Sequence, residues 1–205
     1  MKVNYVAAAV IAAIFLPGAA HAQQWYAGGS IGAVMQSDSD NSGRTGAFTT
    51  GNGSPTVPNG TAVAAGTNYG WTTEFDGGVG GSIEAGLRND NGLRYGLELA
   101  YSQADVDRHS GVTLGGTSLD GVDAAVLTGS ATQLGVTVGQ VVSDGRGDIT
   151  NLGLFANAYY DFNREGALQP YLGAGVGVSQ VEVDYSPSGI QIIDGDDTVF
   201  AWQLK

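Results

Sequence analysis

Cysteine is missing altogether, so neither a disulfide-stapled scaffold nor a thiolate metal site can exist in this chain. Cations are scarce: Lys and Arg number 8 against 20 Asp and Glu, for a formal net charge of −12. Without a basic patch to neutralise phosphates, nucleic acid is excluded as a partner. Charge of either sign makes up only 14% of the residues. No uncharged run free of glycine clusters approaches the ~20 residues of a membrane-crossing helix. What is abundant is glycine, 34 residues, together with 9 Tyr and 3 Trp. That composition suits short strands, tight turns and an aromatic belt better than a helical fold.

The N-terminus has the form of an export signal. Lys2 supplies a positive start, residues 6–16 an apolar run, Pro17-Gly18 a break, and Ala20-His21-Ala22 a small-x-small cleavage site. Residues 1–22 are therefore expected to be a signal peptide cut between Ala22 and Gln23. Residues 23–205 then form one domain. An exported chain without disulfides needs another way to hold together, and a closed hydrogen-bonded barrel supplies one.

Residues 79–88 keep Val79, Ile83, Ala85 and Leu87 on odd positions and Ser82, Glu84 and Arg88 on even ones. After the turn Asn89-Asp90-Asn91-Gly92, Leu93, Tyr95, Leu97, Leu99 and Tyr101 resume the odd series, with Arg94, Glu98 and Ser102 between them. A period of two means strands with one apolar and one polar face. Similar alternation predicts strands over 25–35, 149–162 and 169–183, with a sixth starting at Thr198. Apolar residues change parity after Ser179, to Val181 and Val183, which predicts a bulge or the end of a membrane zone there. Residues 36–78, 104–147 and 185–197 lack a sustained period and read as long upper loops. Within the second, 124–127 and 134–142 alternate and are expected to extend a hairpin. Long connections alternating with short ones are the asymmetry of an outer-membrane barrel. Ten residues rising ~3.3 Å each at a tilt near 45° span roughly 23 Å, the height of its apolar band.

Arginine on the lipid face costs about 2–4 kcal/mol at the bilayer midplane. Glu84, Arg88, Arg94 and Glu98 are thus expected to point into the lumen and to pair across adjacent strands. Trp25, Tyr26, Tyr101, Tyr159, Tyr160, Phe162, Tyr171 and Trp202 lie near predicted strand ends and are expected to form an interfacial girdle. Asp105, Asp107 and His109 sit at the start of the second loop, and the reading there is a solvated loop rather than catalysis. The turns Asp194-Gly195-Asp196-Asp197 and Asp144-Gly145-Arg146-Gly147-Asp148 lack the spacing of a dedicated calcium loop and read as hydrated acidic turns. The triplet Gly173-x-Gly175-x-Gly177 continues a strand period with no following helix, so it is not a nucleotide loop.

Three segments carry a family resemblance: Gln24-Trp25-Tyr26-Ala27-Gly28-Gly29-Ser30-Ile31-Gly32, Asn91-Gly92-Leu93-Arg94-Tyr95-Gly96-Leu97-Glu98-Leu99 and Leu168-Gln169-Pro170-Tyr171-Leu172-Gly173-Ala174-Gly175-Val176-Gly177. Their order and spacing resemble small outer-membrane β-barrel proteins, namely OmpA-like barrel domains, opacity-type proteins and related surface proteins of alphaproteobacteria. The resemblance implies an all-β, antiparallel up-and-down transmembrane barrel of eight strands in a Gram-negative outer membrane. About five and a half strands are legible here. With a C-terminal Lys205 where the family closes on an aromatic residue, the chain is expected to lack its last strands. The expected function is a non-enzymatic structural or surface-interaction role with a side-chain-filled lumen. A porin-like channel for small solutes is the first alternative, a secreted soluble β-sandwich adhesin the second. Expected partners are outer-membrane lipid and lipopolysaccharide, the barrel-assembly machinery, and host or surface ligands through the loops. No cofactor and no metal is expected.

Overall fold

The computed structural model describes residues 7–9, 12–16, 23–55, 57–163, 168–186 and 193–205. Short strands β1 (Ala7–Ala9) and β2 (Ala12–Leu16) precede β3 (Gln23–Gln36), which resumes beyond Ser37-Asp38 as β4 (Ser39–Arg44). The two-residue strands β5 (Phe48–Thr49) and β6 (Ala62–Val63) pair with each other. Then come β7 (Asn68–Phe75), β8 (Gly78–Asn89), the 22-residue β9 (Leu93–Leu114) and β10 (Thr117–Ser118). Helical turns α1 (Ala125–Thr128) and α2 (Val138–Val142) lead to β11 (Gly147–Asp161), β12 (Tyr171–Tyr185) and β13 (Ile193–Leu204).

The long strands pair in the order β3, β8, β9, β11, β12, β13, each antiparallel to its predecessor. The fold is therefore an all-β antiparallel meander. Among the described residues the sheet does not close on itself. β1 and β2 run antiparallel along the side of β3 that β8 leaves free. Of the expected signal and its cleavage site, Lys2, Pro17, Gly18, Ala20, His21 and Ala22 lie outside the described residues, and Gln23 opens β3.

Three expectations about the connections need correction. Residues 36–78 and 104–147 are not open loops: β4 pairs with β7, and β7 with the upper half of β9, which builds a second sheet above the first. Residues 124–127 and 134–142 do not run on as hairpin strands. Asp123 Oδ1 accepts the Ala125 and Leu134 amides at 2.9 Å each and Oδ2 accepts Gly135 N–H at 2.8 Å, while Thr137 and Gln140 form a reciprocal capping box at α2. Such local capping overrides a short alternating run. Finally, β12 pairs with β11 residue for residue through Tyr185, so no bulge follows Ser179. Of the third expected loop, 187–192 lie outside the described residues and β13 already begins at Ile193.

Two apolar clusters hold the upper part. Ala104, Val106, Ile149, Val181, Val183 and Tyr185 pack together on one side of the sheet, with Trp71, Phe75 and Val199 packed on them. Leu119, Val122, Ala124, Val126, Val138 and Val142 form the core of a small outer cap.

Candidate functional site

The register stacks side chains into rows across the sheet. On one face, Ala27, Ala85, Leu97, Ala156, Val176 and Trp202 stand in a single row. The row of Gly29, Ile83, Leu99, Leu154, Val178 and Phe200 lies directly above it. These side chains are uncovered: Ile83 is 66% exposed, Leu97 64% and Phe200 72%. A contiguous apolar surface spanning six strands far exceeds what a soluble monomer presents to water.

The opposite face is polar and packed. The row of Tyr26, Gly86, Gly96, Asn157, Gly175 and Gln203 alternates large groups with glycines. A Cβ on Gly96 would sit 2.5 Å from Tyr26 Oη and 2.8 Å from Glu84 Cδ, and one on Gly175 would strike Asn157 Oδ1. Glycine is used here for room, not for backbone freedom: its missing Cβ leaves space for the large side chains of the neighbouring strands.

Charge fills that room. Glu84 and Glu98 face each other directly across the ladder, as do Arg88 and Arg94, so the expected acid–base pairing between the two strands gives way to another route. Arg94 Nε donates to Asp161 Oδ1 at 2.9 Å, and Arg88 Nε lies 3.2 Å from Asp161 Oδ2. The Arg94 guanidinium also rests against the rings of Tyr26, Tyr159 and Tyr171, 4.6–5.2 Å from their centroids. Glu98, 1% exposed, pairs with Lys205 and accepts from Asn157 Nδ2 and Gln203 Nε2, both at 2.7 Å. Glu84 accepts from Tyr26 Oη at 2.6 Å, from Asn157 Nδ2 at 2.6 Å and from the Tyr159 hydroxyl. Three cations thus meet two carboxylates, Asp161 and Glu98, while Glu84 is held by neutral donors, and Asn157 bridges the two glutamates. This is the saturation a buried polar network needs to avoid a desolvation penalty.

The aromatic expectation divides. Trp25, Tyr160 and Phe162 stand outward at the short-turn end and Tyr101 outward near the other, as a girdle would. Trp202 is outward but sits in the middle of the belt, in the row of Leu97. Tyr26, Tyr159 and Tyr171 point inward and belong to the charge network. Proximity to a strand end suggested the girdle, whereas parity already set Tyr26 apart from Trp25 and placed Tyr159 with Asn157 and Asp161. Parity also identifies Asp161, Asn157, Gln203 and Lys205 as inward residues, although it cannot say which row partners they meet.

His109 corrects the loop reading. It is 1% exposed, because the ladder between β7 and β9 shifts register between Glu74 and Phe75, leaving Asp107 as an extra residue on β9. A bulge of this kind reverses the facing of the residues beyond it. Asp105 and Asp107 stay exposed. Burial holds the His109 pKa below the usual histidine range, against opposing contributions from the Arg146 backbone and Asp144.

The acidic turns fall at one level. Asp105, Asp148, Asp184 and Asp194 are direct neighbours across four strands, just above the apolar belt. Asp144 pairs with Arg146 at 3.3 Å. Among the described residues no group of three or more His, Asp or Glu side chains converges as a metal site. Gly173, Gly175 and Gly177 lie on the packed face of β12, against Tyr159, Asn157 and the Leu154 backbone.

No curated protein and no solved structure matches the chain. The model of the surface antigen family matches residues 58–205, which include β7 through β13 and therefore five of the six long strands that carry the belt and the charge network. The chain belongs to the surface antigen family.

Proposed function

We propose that residues 23–205 form the wall of an outer-membrane β-barrel, exported behind a leader at 1–22, with the β4, β7 and β9 sheet and its cap displayed on the cell surface. One observation carries this reading: the strands turn their apolar side inside out at a common level. Below the row of Gln103, Thr150, Glu182 and Asp196, outward residues are Leu97, Leu99, Leu154, Val178 and Phe200 while inward ones are Glu98, Ser102 and Asn157. Above it, outward residues are Asp105, Asp148, Asp184 and Asp194, and inward ones Ala104, Val106, Ile149, Val183 and Tyr185. Apolar groups face outward only where the outside is lipid, and return inward where it is water.

The role is structural or adhesive rather than catalytic or conducting. The lower lumen is filled by mutually saturated charges and its upper end by the Ile149, Val183 and Tyr185 cluster. A soluble sandwich would need a second sheet over the belt, yet those side chains stay exposed. The partners of this reading are outer-membrane lipid and lipopolysaccharide below and surface ligands at the cap.

Fractionation of the protein expressed in a Gram-negative cell tests the assignment. Recovery in the outer membrane, resistant to alkaline extraction and with heat-modifiable gel mobility, is the expected result; recovery as a soluble periplasmic protein overturns it. Planar-bilayer recording then separates the two membrane roles: the filled lumen predicts no steady conductance, and steady open-channel current would establish the porin-like alternative.

A further inference from the structure

We infer that His109 is an acid-sensitive latch: its neutral Nδ1 accepts from Thr73 and so holds β4 and β7 on β9, and a proton arriving at Nδ1 releases that contact while Nε2 stays on the Arg146 turn. The hydrogen bonds around the ring fix its protonation state without reference to pH. Asn41 Nδ2 lies 3.0 Å from the Ser39 carbonyl oxygen and 3.0 Å from Thr73 Oγ1. A carbonyl only accepts, so the Asn41 atom shared by both contacts is the amide nitrogen, and it donates to Thr73. Trp71 Nε1, which can only donate, lies 3.1 Å from the same hydroxyl. Both lone pairs of Thr73 Oγ1 are thereby occupied, and its one proton goes to His109 Nδ1 at 3.0 Å. At the far side of the ring, Nε2 lies 3.3 Å from the Arg146 carbonyl oxygen, which requires a proton on Nε2. Both ends of the ring give one answer: neutral imidazole, protonated on Nε2.

A second proton has no place in this arrangement. On Nδ1 it would point at a hydroxyl whose lone pairs are already filled, turning three donors on one oxygen and breaking one of the contacts from β4, β7 or β9. The other groups around the ring do not absorb the charge. Asp144, on the connection before β11, pulls a proton toward the ring but is engaged with Arg146. Glu74 of β7 is bound to Arg108 Nη2 at 2.6 Å and to Ser110 Oγ at 3.0 Å. From β12, Tyr185 presents a ring edge 5.5 Å away, and its own ring meets Phe75. Burial therefore dominates, in the direction that keeps the closed state neutral.

The sign is set by linkage. The opened state binds a proton near the ordinary pKa of about 6.5 and the closed state only below it, so stability present above 6.5 falls as pH drops through that value and levels off once the closed form protonates. Within the window the closed-to-open ratio falls about tenfold per pH unit. The latch lies above the apolar belt and does not depend on the sheet closing in a membrane.

The chain holds two histidines, His21 and His109, so a His21→Asn chain labelled with nitrogen-15 histidine reports on one ring. The full chain in detergent should show the Nε2–H tautomer, a midpoint below about 6.5, and amide protection factors over residues 39–44 and 68–75 that fall about tenfold per unit inside the window. His109→Gln can accept from Thr73 and donate to Arg146 without titrating, and should make those protection factors independent of pH. A midpoint at or above the ordinary value, an Nδ1–H tautomer, or an unchanged pH dependence in His109→Gln would each overturn the latch. If His109→Gln fails to fold, the ring titration in the His21→Asn chain decides alone.

Discussion

Below the row of Gln103, Thr150, Glu182 and Asp196 the packed side of the sheet is held by ions and hydrogen bonds; above it the same strands are held by valine, isoleucine and tyrosine. β12 shows both regimes within 15 residues. Its lower inward residues, Gly173, Gly175 and Gly177, make way for Tyr159 and Asn157, while Val183 and Tyr185 above the boundary, with Val181 one row beneath it, are the core. The backbone ladder is unbroken across the change. Backbone pairing therefore does not decide where polar groups go; under the proposed function the medium outside does. In lipid the outer face takes the apolar side chains and the interior is left with the polar ones, whereas in water the ordinary hydrophobic drive restores an apolar interior.

The largest effect should come from removing the anion of the lower region. Asp161 holds both Arg94 and Arg88, and the Asp161 and Arg94 side chains are 5% and 4% exposed. Asp161→Ala strands a buried guanidinium among three tyrosines, a loss of about 3–5 kcal/mol, visible as a lower urea midpoint of the detergent-folded protein. Glu98→Ala should act similarly through Lys205, its ion-pair partner here, rather than through either arginine. A shift within the range of exposed ion pairs would mean that the lower lumen is wet and open.

Next in size is a charge on the belt. Leu97→Arg places a guanidinium in a mid-belt row, at about 2–4 kcal/mol if that row lies near the bilayer midplane. On a soluble protein the same change at a 64% exposed position would fall within about ±0.5 kcal/mol. Vesicle refolding yield followed by heat-modifiable mobility distinguishes the two, and wild-type yield for Leu97→Arg would remove the lipid from the comparison.

A smaller effect is expected in the upper core. Val183→Thr keeps the shape but buries a hydroxyl in the cluster with Ile149 and Val181, at a cost of about 1–3 kcal/mol if it stays unbonded. Chemical denaturation with far-ultraviolet circular dichroism measures it. Tolerance of Thr at Val183 would show that the upper interior admits water and that the inversion is incomplete.

How far the sequence foretold this contrast varies by residue. The six long strands and their outward faces were legible because Leu93 to Tyr101 or Leu152 to Phe162 obey a period of two without exception on the apolar side. The inversion was legible as the parity change at Val181 and Val183, but it admitted a bulge as readily as a change of medium, and the unbroken ladder removes the bulge. Pairing within the lumen was not legible. Period two assigns a face, whereas the meeting of Arg94 with Asp161 depends on the register of β9 against β11, which no local pattern encodes. His109 escaped because one extra residue at Asp107 reverses parity. The cap escaped because its Gly, Ser and Thr content resembles a loop, and its core comes from residues as far apart in sequence as Leu119 and Val142.

The smallest effect tests whether the cap is a separate unit from the sheet below. Asp123 is a partly exposed carboxylate whose oxygens take three backbone N–H groups, from Ala125, Leu134 and Gly135. Those amides, that of Leu134 first, hold its pKa below the usual aspartate range. A depressed carboxylate stabilises the folded form above its unfolded value of about 3.9, and this contribution disappears as pH falls through the lower folded value. The cap should accordingly loosen in strong acid, well below the histidine window, so amide exchange over residues 124–142 and over 68–75 should show two separate acid transitions. Asp123→Asn keeps one acceptor oxygen but loses the charge, and should shift only the lower transition while leaving the β7 amides unchanged. Coincidence of the two transitions in the wild-type chain would mean that cap and upper sheet open as one body, with Asp123 and His109 guarding the same step.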